Sequence, residues 1–196
     1  MKLYFTPGYC SLAVHIALRE AGARFELVKV DPTAASFRDV NPRGYVPVLE
    51  LDDGSRHTEA AALLQHVGDL APAGALIPPA GTRERFLVNQ SLTFVSSELH
   101  KVFSPWLFHK ETADSTAKAV REKLQARFAE LDAHFAKHEW LATNRFTVAD
   151  AYAFAILNWI PWVGLSTAKY PSLAAYIDRV RARPFVRAAL DAEGLK

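Results

Sequence analysis

The first 22 residues, MKLYFTPGYCSLAVHIALREAG, set the interpretation of the whole chain. Residues 2–5 have the composition of a short strand, Pro7 and Gly8 interrupt it, and residues 12–21 have the apolar spacing of a helix. A second β-rich run follows at residues 25–31. Because a strand, a helix and a second strand follow one another so closely, the sequence predicts a βαβ unit with two parallel strands.

The next segment extends this unit by four further elements. They are a short helical piece at residues 36–40, a strand at 48–51, a return strand at 56–57 after the turn Asp52-Asp53-Gly54-Ser55, and a helix at 59–69 capped by Thr58. The predicted order of the N-terminal elements is βαβαββα.

A proline-rich stretch then separates two kinds of sequence. Residues 70–82, LAPAGALIPPAGT, hold three prolines and two glycines and have no sustained period. Beyond them the strand signals stop, and apolar residues recur three and four positions apart, as in amphipathic helices. We therefore predict an α/β domain at residues 1–75, a linker at 76–82 and an all-α domain at 83–196.

Three helices are well marked in the predicted all-α domain. The first two are defined by the apolar stripes Val88, Leu92, Val95, Leu99, Val102 and Val120, Leu124, Phe128, Leu131, Phe135. A third is expected at residues 148–160, where Thr147 can cap the start and Asp150 can reach back as in a capping box.

The composition excludes several classes of protein. Half of the 196 residues are hydrophobic and 22% are charged, which is typical of a globular chain. The 23 Lys and Arg residues nearly balance the 21 Asp and Glu residues, so the chain lacks the broad basic field that binds nucleic acid or an anionic membrane. The most apolar stretch, residues 151–165, is too short to cross a bilayer. We expect neither nucleic acid nor a membrane as a partner.

The single cysteine, Cys10, bears on both compartment and chemistry. It excludes a disulfide within the chain and indicates a reducing compartment, so with no signal-peptide pattern at the start we expect a cytoplasmic protein. Cys10 stands between the first strand and the first helix, where helix-start amides would lower the pKa of its thiol. The alternative is a small buried cysteine without reactivity. Any redox cycle would need an external thiol, because no second cysteine is available.

Two further positions could bind a ligand. Pro47 opens a predicted strand, and a cis Val46–Pro47 bond would present the Val46 backbone to a partner, although an ordinary trans proline at a sheet edge is favoured by the residues alone. Glu59 begins a helix, so its carboxylate and the free amides could hold the head group of an amino acid. The alternative for Glu59 is an ordinary partner of the helix dipole.

A polar stripe also runs along the first long helix of the predicted all-α domain. Its members are Thr93, Ser97, His100 and Ser104, which indicate a groove or, alternatively, a solvated flank. His100 is the member that can exchange protons near neutral pH. His134 and His138 are four residues apart on the second helix, but no further ligand stands at a suitable spacing, so no metal site is predicted.

Taken together, these features resemble a cytosolic glutathione S-transferase, and the details are similar to the bacterial beta class. The resemblance is carried by MKLYFTPGYCSLAVHIALREAG, VNPRGYVPVLELDDGS, SSELHKVFSP, RFTVADAY and the terminal AEGLK, which are spread over nearly the whole chain. The family implies a thioredoxin-like N-terminal domain, an all-helical C-terminal domain and a homodimer. It also implies glutathione as a co-substrate, with no permanently bound cofactor.

The resemblance implies roles for individual residues as well. The Val46–Pro47 bond would be cis, and Glu59 with the Ala60 backbone would bind the γ-glutamyl part of glutathione. Cys10 and His100 would be the catalytic residues at the glutathione sulfur. The full set of implied glutathione contacts is Cys10, Val46, Pro47, Glu59, Ala60, Thr93, Ser97 and His100.

Two positions depart from the family's pattern. Ala60 stands where the family usually has Ser or Gly, and no lysine precedes the third strand, where beta-class relatives hold the glycyl carboxylate. Arg38 and Arg43 are the candidates to substitute for that lysine.

The expected activity is conjugation of glutathione to small hydrophobic electrophiles. Four aromatic residues are candidate walls of the electrophile pocket: Phe103, Trp106, Phe108 and Trp162. One alternative is a glutathione-dependent thiol-disulfide oxidoreductase that forms a mixed disulfide at Cys10. Another is a non-catalytic binding or partner-regulating protein on the same fold.

Overall fold

A four-stranded mixed sheet forms the core of the N-terminal half. The computed structural model describes residues 1–72 and 74–195. Its strands are β1 (Lys2–Phe5), β2 (Glu26–Lys29), β3 (Val48–Glu50) and β4 (Arg56–His57), in the sheet order β2-β1-β3-β4. β1 and β2 run parallel, whereas β3 is antiparallel to both β1 and β4. The predicted βαβ unit and the hairpin around residues 52–55 are therefore confirmed.

Helices account for most of the remaining structure. They are α1 (Ser11–Glu20), α2 (Ala60–Leu70), α3 (Arg83–Phe94), α4 (Lys101–Phe103), α5 (Asp114–Phe135), α6 (Val148–Leu157), α7 (Pro171–Arg181) and α8 (Pro184–Glu193). Short 3-10 helices occupy Ala35–Asp39, Trp106–Phe108 and Pro161–Val163, and a π-helical segment spans Val95–His100. None of the helices within residues 1–72 and 74–195 is long and apolar enough to cross a membrane.

The two halves share one hydrophobic core. Helix α1 packs on α2 of the N-terminal half and on α6 and α8 of the helical half. All ten residues of α6 are buried, which explains why its sequence is apolar on every face. Because each buried aliphatic side chain contributes about 1.5–3 kcal/mol, this shared core fixes the relative position of the halves.

The start of α6 has the capping arrangement expected from its sequence. The Thr147 hydroxyl oxygen accepts from the Ala149 amide, and Asp150 accepts from the Thr147 amide at 2.8 Å. Asp150 also accepts from the Leu141 amide and the Tyr176 hydroxyl, at 2.9 and 3.0 Å. The predicted capping box is confirmed, and Asp150 is committed to structure rather than chemistry.

Three details of the predicted elements are wrong. Thr58 does not cap α2: Glu59 is the N-cap residue, and no side chain caps that end. The first long helix is not α-helical throughout, because the chain widens into a π turn at Val95–His100. The third helix ends at Leu157 rather than residue 160, and a 3-10 turn follows at Pro161. The division into residues 1–75, 76–82 and 83–196 stays a prediction.

A buried polar network joins the last helix to the first. Glu193 accepts from the Gly8 amide at 2.9 Å and lies 2.8 Å from Nδ1 of His15. Arg19 donates to Nε2 of His15 at 2.8 Å, so Nδ1 carries the proton that is given to Glu193. The side chains of His15 and Glu193 are fully buried. The C-terminal helix thereby holds the loop that follows β1.

Candidate functional site

The loop after β1 places Cys10 at the N-cap of α1, against the third strand. The Cys10 thiol donates to the Val46 carbonyl oxygen, with 3.2 Å between sulfur and oxygen. The Val46–Pro47 peptide is cis, as the family resemblance implies and contrary to what the residues alone favour. The cis bond turns the chain just before β3, so the Val46 backbone faces Cys10 instead of pairing within the sheet.

The predicted low pKa of Cys10 is wrong. Burial raises the pKa of its thiol to about 12, although the Cys10 and Ser11 backbone amides and the charge of Lys101 act in the opposite direction. Helix-start amides do stabilise the thiolate. Burial of the sulfur destabilises the thiolate by more, because the charge loses its hydration. Cys10 is therefore a neutral hydrogen-bond donor in this structure.

Glu59, the residue that precedes α2, has an unusual backbone conformation. It has φ 70° and is the one non-glycine residue with positive φ in residues 1–72 and 74–195. Such strain costs about 1–3 kcal/mol and is typical of binding sites. Its carboxylate pairs with Arg43 at 3.3 Å, and both side chains are 70% exposed. Arg43 was a candidate partner for the glycyl carboxylate. In the structure it lies next to Glu59, the residue predicted to bind the γ-glutamyl part.

The amides at the start of α2 adjoin Glu59. The Glu59 carbonyl accepts from the Ala62 and Leu63 amides, which places Ala60 and Ala61 in the first turn, where helix amides have no partner within the helix. The charge of Glu59 acts on the Cys10 thiol, and so does that of Lys101 on the helical side. Glu59 and Lys101 therefore both lie close enough to Cys10 for their charges to influence its thiol.

His100 is the last residue of the π-helical segment and precedes Lys101, whose charge acts on the Cys10 thiol. Its Nδ1 lies 2.7 Å from the Tyr152 hydroxyl, and its ring meets that of Trp159 edge-on at 5.2 Å. Burial, with a smaller effect from Lys101, lowers the pKa of His100 to about 4. The prediction that His100 exchanges protons near neutral pH is therefore wrong, because the ring stays neutral there.

The other members of the polar stripe are less enclosed. Thr93 and Ser97 are exposed, and their hydroxyls donate to the carbonyl oxygens of Asn89 and Thr93, one turn earlier, at 2.9 and 3.0 Å. Each hydroxyl oxygen retains acceptor capacity toward a ligand. Ser104 lies past the end of α4 and precedes a second cis bond, to Pro105.

The four aromatic residues predicted to line the electrophile pocket do not lie together. Trp106 and Phe108 are 45% and 44% exposed, and the Phe108 ring meets Trp159 edge-on at 5.3 Å. Phe103 is fully buried between Phe128 and Trp159, so its prediction as a pocket wall is wrong: it supports the wall from behind.

Trp162 belongs to a different cavity. It lines a space of about 550 Å³ whose described lining includes Gly8 and Leu195 but neither Cys10 nor Phe108. The structure therefore does not bring Trp162 together with the other predicted walls of the electrophile pocket.

Sequence reasoning missed two residues of the site. The Trp159 indole donates to the Gly8 carbonyl oxygen at 2.7 Å, and Tyr152 bonds His100. Both lie in the apolar stretch of residues 151–165, which has the composition of simple core. A signal was available, because Tyr and Trp carry polar groups that need partners when they are buried.

The acidic, histidine and cysteine side chains of the described residues do not form a metal site. Among the residues that the structure describes, no group of three or more His, Cys, Asp or Glu side chains is placed to hold a metal ion. His134 stacks on His138 at 4.6 Å, and its Nε2 is 3.0 Å from the Trp140 carbonyl oxygen.

Comparison with known proteins decides the family. Residues 9–70 match the model of the glutathione S-transferase N-terminal domain, and residues 94–184 match that of the C-terminal domain. Glutathione S-transferase GstA of Escherichia coli O157:H7 is 39% identical over 202 aligned positions, which cover 100% of both chains. This chain belongs to the glutathione S-transferase family.

Solved structures of glutathione S-transferases agree with this membership. The beta-class glutathione S-transferase of Sphingomonas chungbukensis is 44% identical, with a TM-score of 0.94 and 100% of both chains covered. A sphingomonad glutathione S-transferase complexed with glutathione has the same identity, TM-score and coverage. The resemblance to the bacterial beta class and the fold class inferred from the sequence are thereby confirmed.

In this glutathione S-transferase, the candidate site is built from both halves of the chain. The N-terminal half contributes Cys10, the cis Val46–Pro47 bond and Glu59. The helical half contributes His100, with Tyr152 and Trp159 behind it. The assignment of individual residues to glutathione stays a prediction.

Proposed function

We propose that the chain binds glutathione in this cleft as a co-substrate and transfers its thiol to small hydrophobic electrophiles. The observation that carries the proposal is the contact of Cys10 with the Val46 carbonyl at a cis proline, with the strained Glu59 beside it. An extended peptide with a cysteine at its centre fits such a site. Its backbone can pair with Val46 while its sulfur lies at Cys10. The family membership supports the same conclusion.

The ends of glutathione differ in charge, and the cleft offers a complement for each. Glu59 would accept from the γ-glutamyl ammonium, and the amides of Ala60 and Ala61 would donate to its carboxylate. Arg43 would leave Glu59 when the ammonium arrives, since the two cations compete for one carboxylate. Thr93 and Ser97 would supply hydroxyl oxygens from the opposite side.

The reaction would use the glutathione sulfur as the nucleophile. The thiol loses its proton to solvent, the thiolate attacks an electrophilic carbon, and a halide or other leaving group departs with the bonding electrons. Cys10 would remain protonated and donate a hydrogen bond to that thiolate, together with His100. Lys101 would add a positive field near the sulfur.

A mixed disulfide at Cys10 is not favoured as the main activity. The attacking species in thiol-disulfide exchange is a thiolate, and burial raises the pKa of Cys10 to about 12. A non-catalytic protein is not favoured either, because relatives that align over the full length of both chains are named glutathione S-transferases.

The electrophile would lie against the exposed aromatic residues. Trp106 and Phe108 offer their rings at the rim, and Trp159 forms the base behind Phe108. A flat apolar ring system fits such a surface, because aromatic rings pack face to edge or with an offset.

The test combines affinity with turnover. The chain should be retained on immobilised glutathione and should conjugate an aromatic halide. Glu59→Gln should raise the KM for glutathione about tenfold or more, since a charged hydrogen bond contributes about 1.5–3 kcal/mol. Glu122→Gln, an exposed acid on α5, is the matched control and should change nothing. A wild-type chain that neither binds glutathione nor conjugates the halide would refute the proposal.

Cys10 is tested separately. Cys10→Ala removes the donor to the sulfur, whereas Cys10→Ser keeps a hydroxyl donor in its place. We expect conjugation to fall in the alanine variant and to be largely retained in the serine variant. Equal activity of wild type and Cys10→Ala would exclude Cys10 from the reaction.

We also propose that two copies of the chain form a homodimer and that the enzyme acts in the cytoplasm. Large exposed apolar side chains such as Tyr45 (68% exposed) and Phe86 (66%) support an interface, and the single cysteine supports a reducing compartment. Light scattering should give twice the chain mass for the wild type. Tyr45→Ala and Phe86→Ala should shift it toward the monomer, whereas Glu122→Gln, at an exposed polar position, serves as a control. A monomeric wild type would contradict the dimer.

A further inference from the structure

The hydrogen bond between His100 and Tyr152 has no role in the proposed glutathione contacts. The Tyr152 hydroxyl lies 2.7 Å from Nδ1 of His100, and the two rings meet edge-on at 5.9 Å and 84°. Tyr152 is 2% exposed and projects from α6, whose ten residues are all buried. A buried hydroxyl fixed against a histidine of the site can determine which ring nitrogen carries the proton.

The direction of this hydrogen bond follows from the surroundings of Tyr152. The partner that the structure gives the buried Tyr152 hydroxyl is Nδ1 of His100, at 2.7 Å. A buried phenol needs an acceptor for its proton, and an unprotonated imidazole nitrogen is a stronger acceptor than a phenol oxygen, so Tyr152 is the donor. Burial raises the pKa of Tyr152 well above its usual value, so the phenol keeps its proton. That proton is then available to Nδ1 of His100.

The state of His100 completes the chain of donors. Burial lowers its pKa to about 4, so near neutral pH the ring is uncharged and carries one proton. If Nδ1 accepts from Tyr152, that proton must be on Nε2, on the other edge of the ring.

We propose that Tyr152 is a positioning residue that holds His100 as the Nε2–H tautomer, so that His100 presents a hydrogen-bond donor to the glutathione thiolate. The inference rests on the proposed function for its consequence in catalysis. Its structural part, the tautomer, concerns the protein without glutathione. If Nδ1 carried the single proton instead, Nε2 would present its lone pair to the thiolate, and the two would repel each other.

The test begins with the tautomer in the free protein. With labelled histidine, the nitrogen chemical shifts of His100 should show a protonated Nε2 and an unprotonated Nδ1 in the wild type. Tyr152→Phe keeps the ring and removes the hydroxyl, so the two nitrogens should become more alike as the tautomers mix. Tyr176→Phe removes an equally buried hydroxyl that bonds Asp150, and it should leave the His100 shifts unchanged.

The second measurement is the ionisation of bound glutathione. Thiolate absorbance against pH should show that Tyr152→Phe raises the pKa of bound glutathione by about one unit, which is tenfold less thiolate on the acid side. The value of kcat near pH 6.5 should fall by a similar factor, whereas the KM for glutathione should change little. In a His100→Phe background, Tyr152→Phe should have no further effect on either quantity.

The outcomes separate the two proposals. An Nδ1–H tautomer in the wild type, or shifts that Tyr152→Phe leaves unchanged, would overturn the role of Tyr152 whatever the enzyme does with glutathione. The expected tautomer in a chain that fails to bind glutathione would refute the proposed function and, with it, the catalytic consequence. A Tyr152→Phe effect on the bound thiol that persists in the His100→Phe background would also overturn the role of Tyr152, because the effect would not pass through His100.

Discussion

Gly8 is the position where one added methyl group tests the packing of the site loop most directly. Its φ is +74°, and a Cβ built there would lie 2.3 Å from the far end of the Trp162 ring. Gly8→Ala therefore combines a left-handed backbone, which costs about 1 kcal/mol for alanine, with a steric clash. Overpacking costs about 1–3 kcal/mol, and the lower end applies because Trp162 is 53% exposed and can rotate. The expected loss of unfolding free energy is about 2–3 kcal/mol.

Gly22 provides the matched control for the backbone contribution. Its φ is +64°, and nothing lies within 4 Å of a Cβ built there. Gly22→Ala should cost about 1 kcal/mol, so the difference between the two variants isolates the clash. Urea unfolding of both, followed by far-ultraviolet circular dichroism at one protein concentration, gives these free energies. In a Trp162→Ala background, Gly8→Ala should cost no more than Gly22→Ala. Equal losses for Gly8→Ala and Gly22→Ala in the native background would refute this reasoning.

Three further predictions concern buried polar groups. Glu193→Gln places an amide donor against the His15 or Gly8 N–H and should cost about 2–3 kcal/mol in urea unfolding, whereas the exposed Asp191→Asn on the same helix should be neutral. Asp150→Asn disturbs a carboxylate that accepts from two amides and two hydroxyls, so thermal unfolding should show a loss of about 3 kcal/mol or more, and a loss below about 1 kcal/mol would contradict the network. His100 has a lowered pKa of about 4, so its contribution to stability is full above about pH 6.5 and declines toward pH 4. Between pH 7 and pH 4.5 the wild type should lose about 2 kcal/mol more than His100→Gln, and parallel pH profiles would count against the lowered pKa.

Local patterns predicted most of the fold because each of them has a short-range cause. The strands, the hairpin turn and the capping box at Thr147 follow from side-chain period, turn residues and hydrogen-bonding groups within a few positions. The π turn at Val95–His100 could not be read in this way. Residues three and four apart fit an α-helix as well, and only the packing of His100 against Tyr152 and Trp159 distinguishes the two.

The place of Cys10 in the fold was predictable from the sequence, but its electrostatics were not. Placing Cys10 after the first strand required only the chain order, whereas its pKa depends on how completely the folded protein encloses the sulfur. The same difference explains His100, whose pKa is lowered by burial that no local pattern reveals. For Phe103, the sequence could not distinguish a pocket wall from the buried layer behind it, because both are made of the same apolar residue types.

The peptide groups of Gly8 have a consequence for engineering by recombination. Its amide donates to Glu193 on α8, and its carbonyl oxygen accepts from the indole of Trp159, just past the end of α6. The loop that carries Cys10 therefore belongs to the N-terminal half by sequence, but its conformation is held by hydrogen bonds to residues of the helical half. A chimera that joins this thioredoxin-like half to the helical half of a relative would inherit the loop sequence without its shape, unless Trp159 and Glu193 are transferred with it.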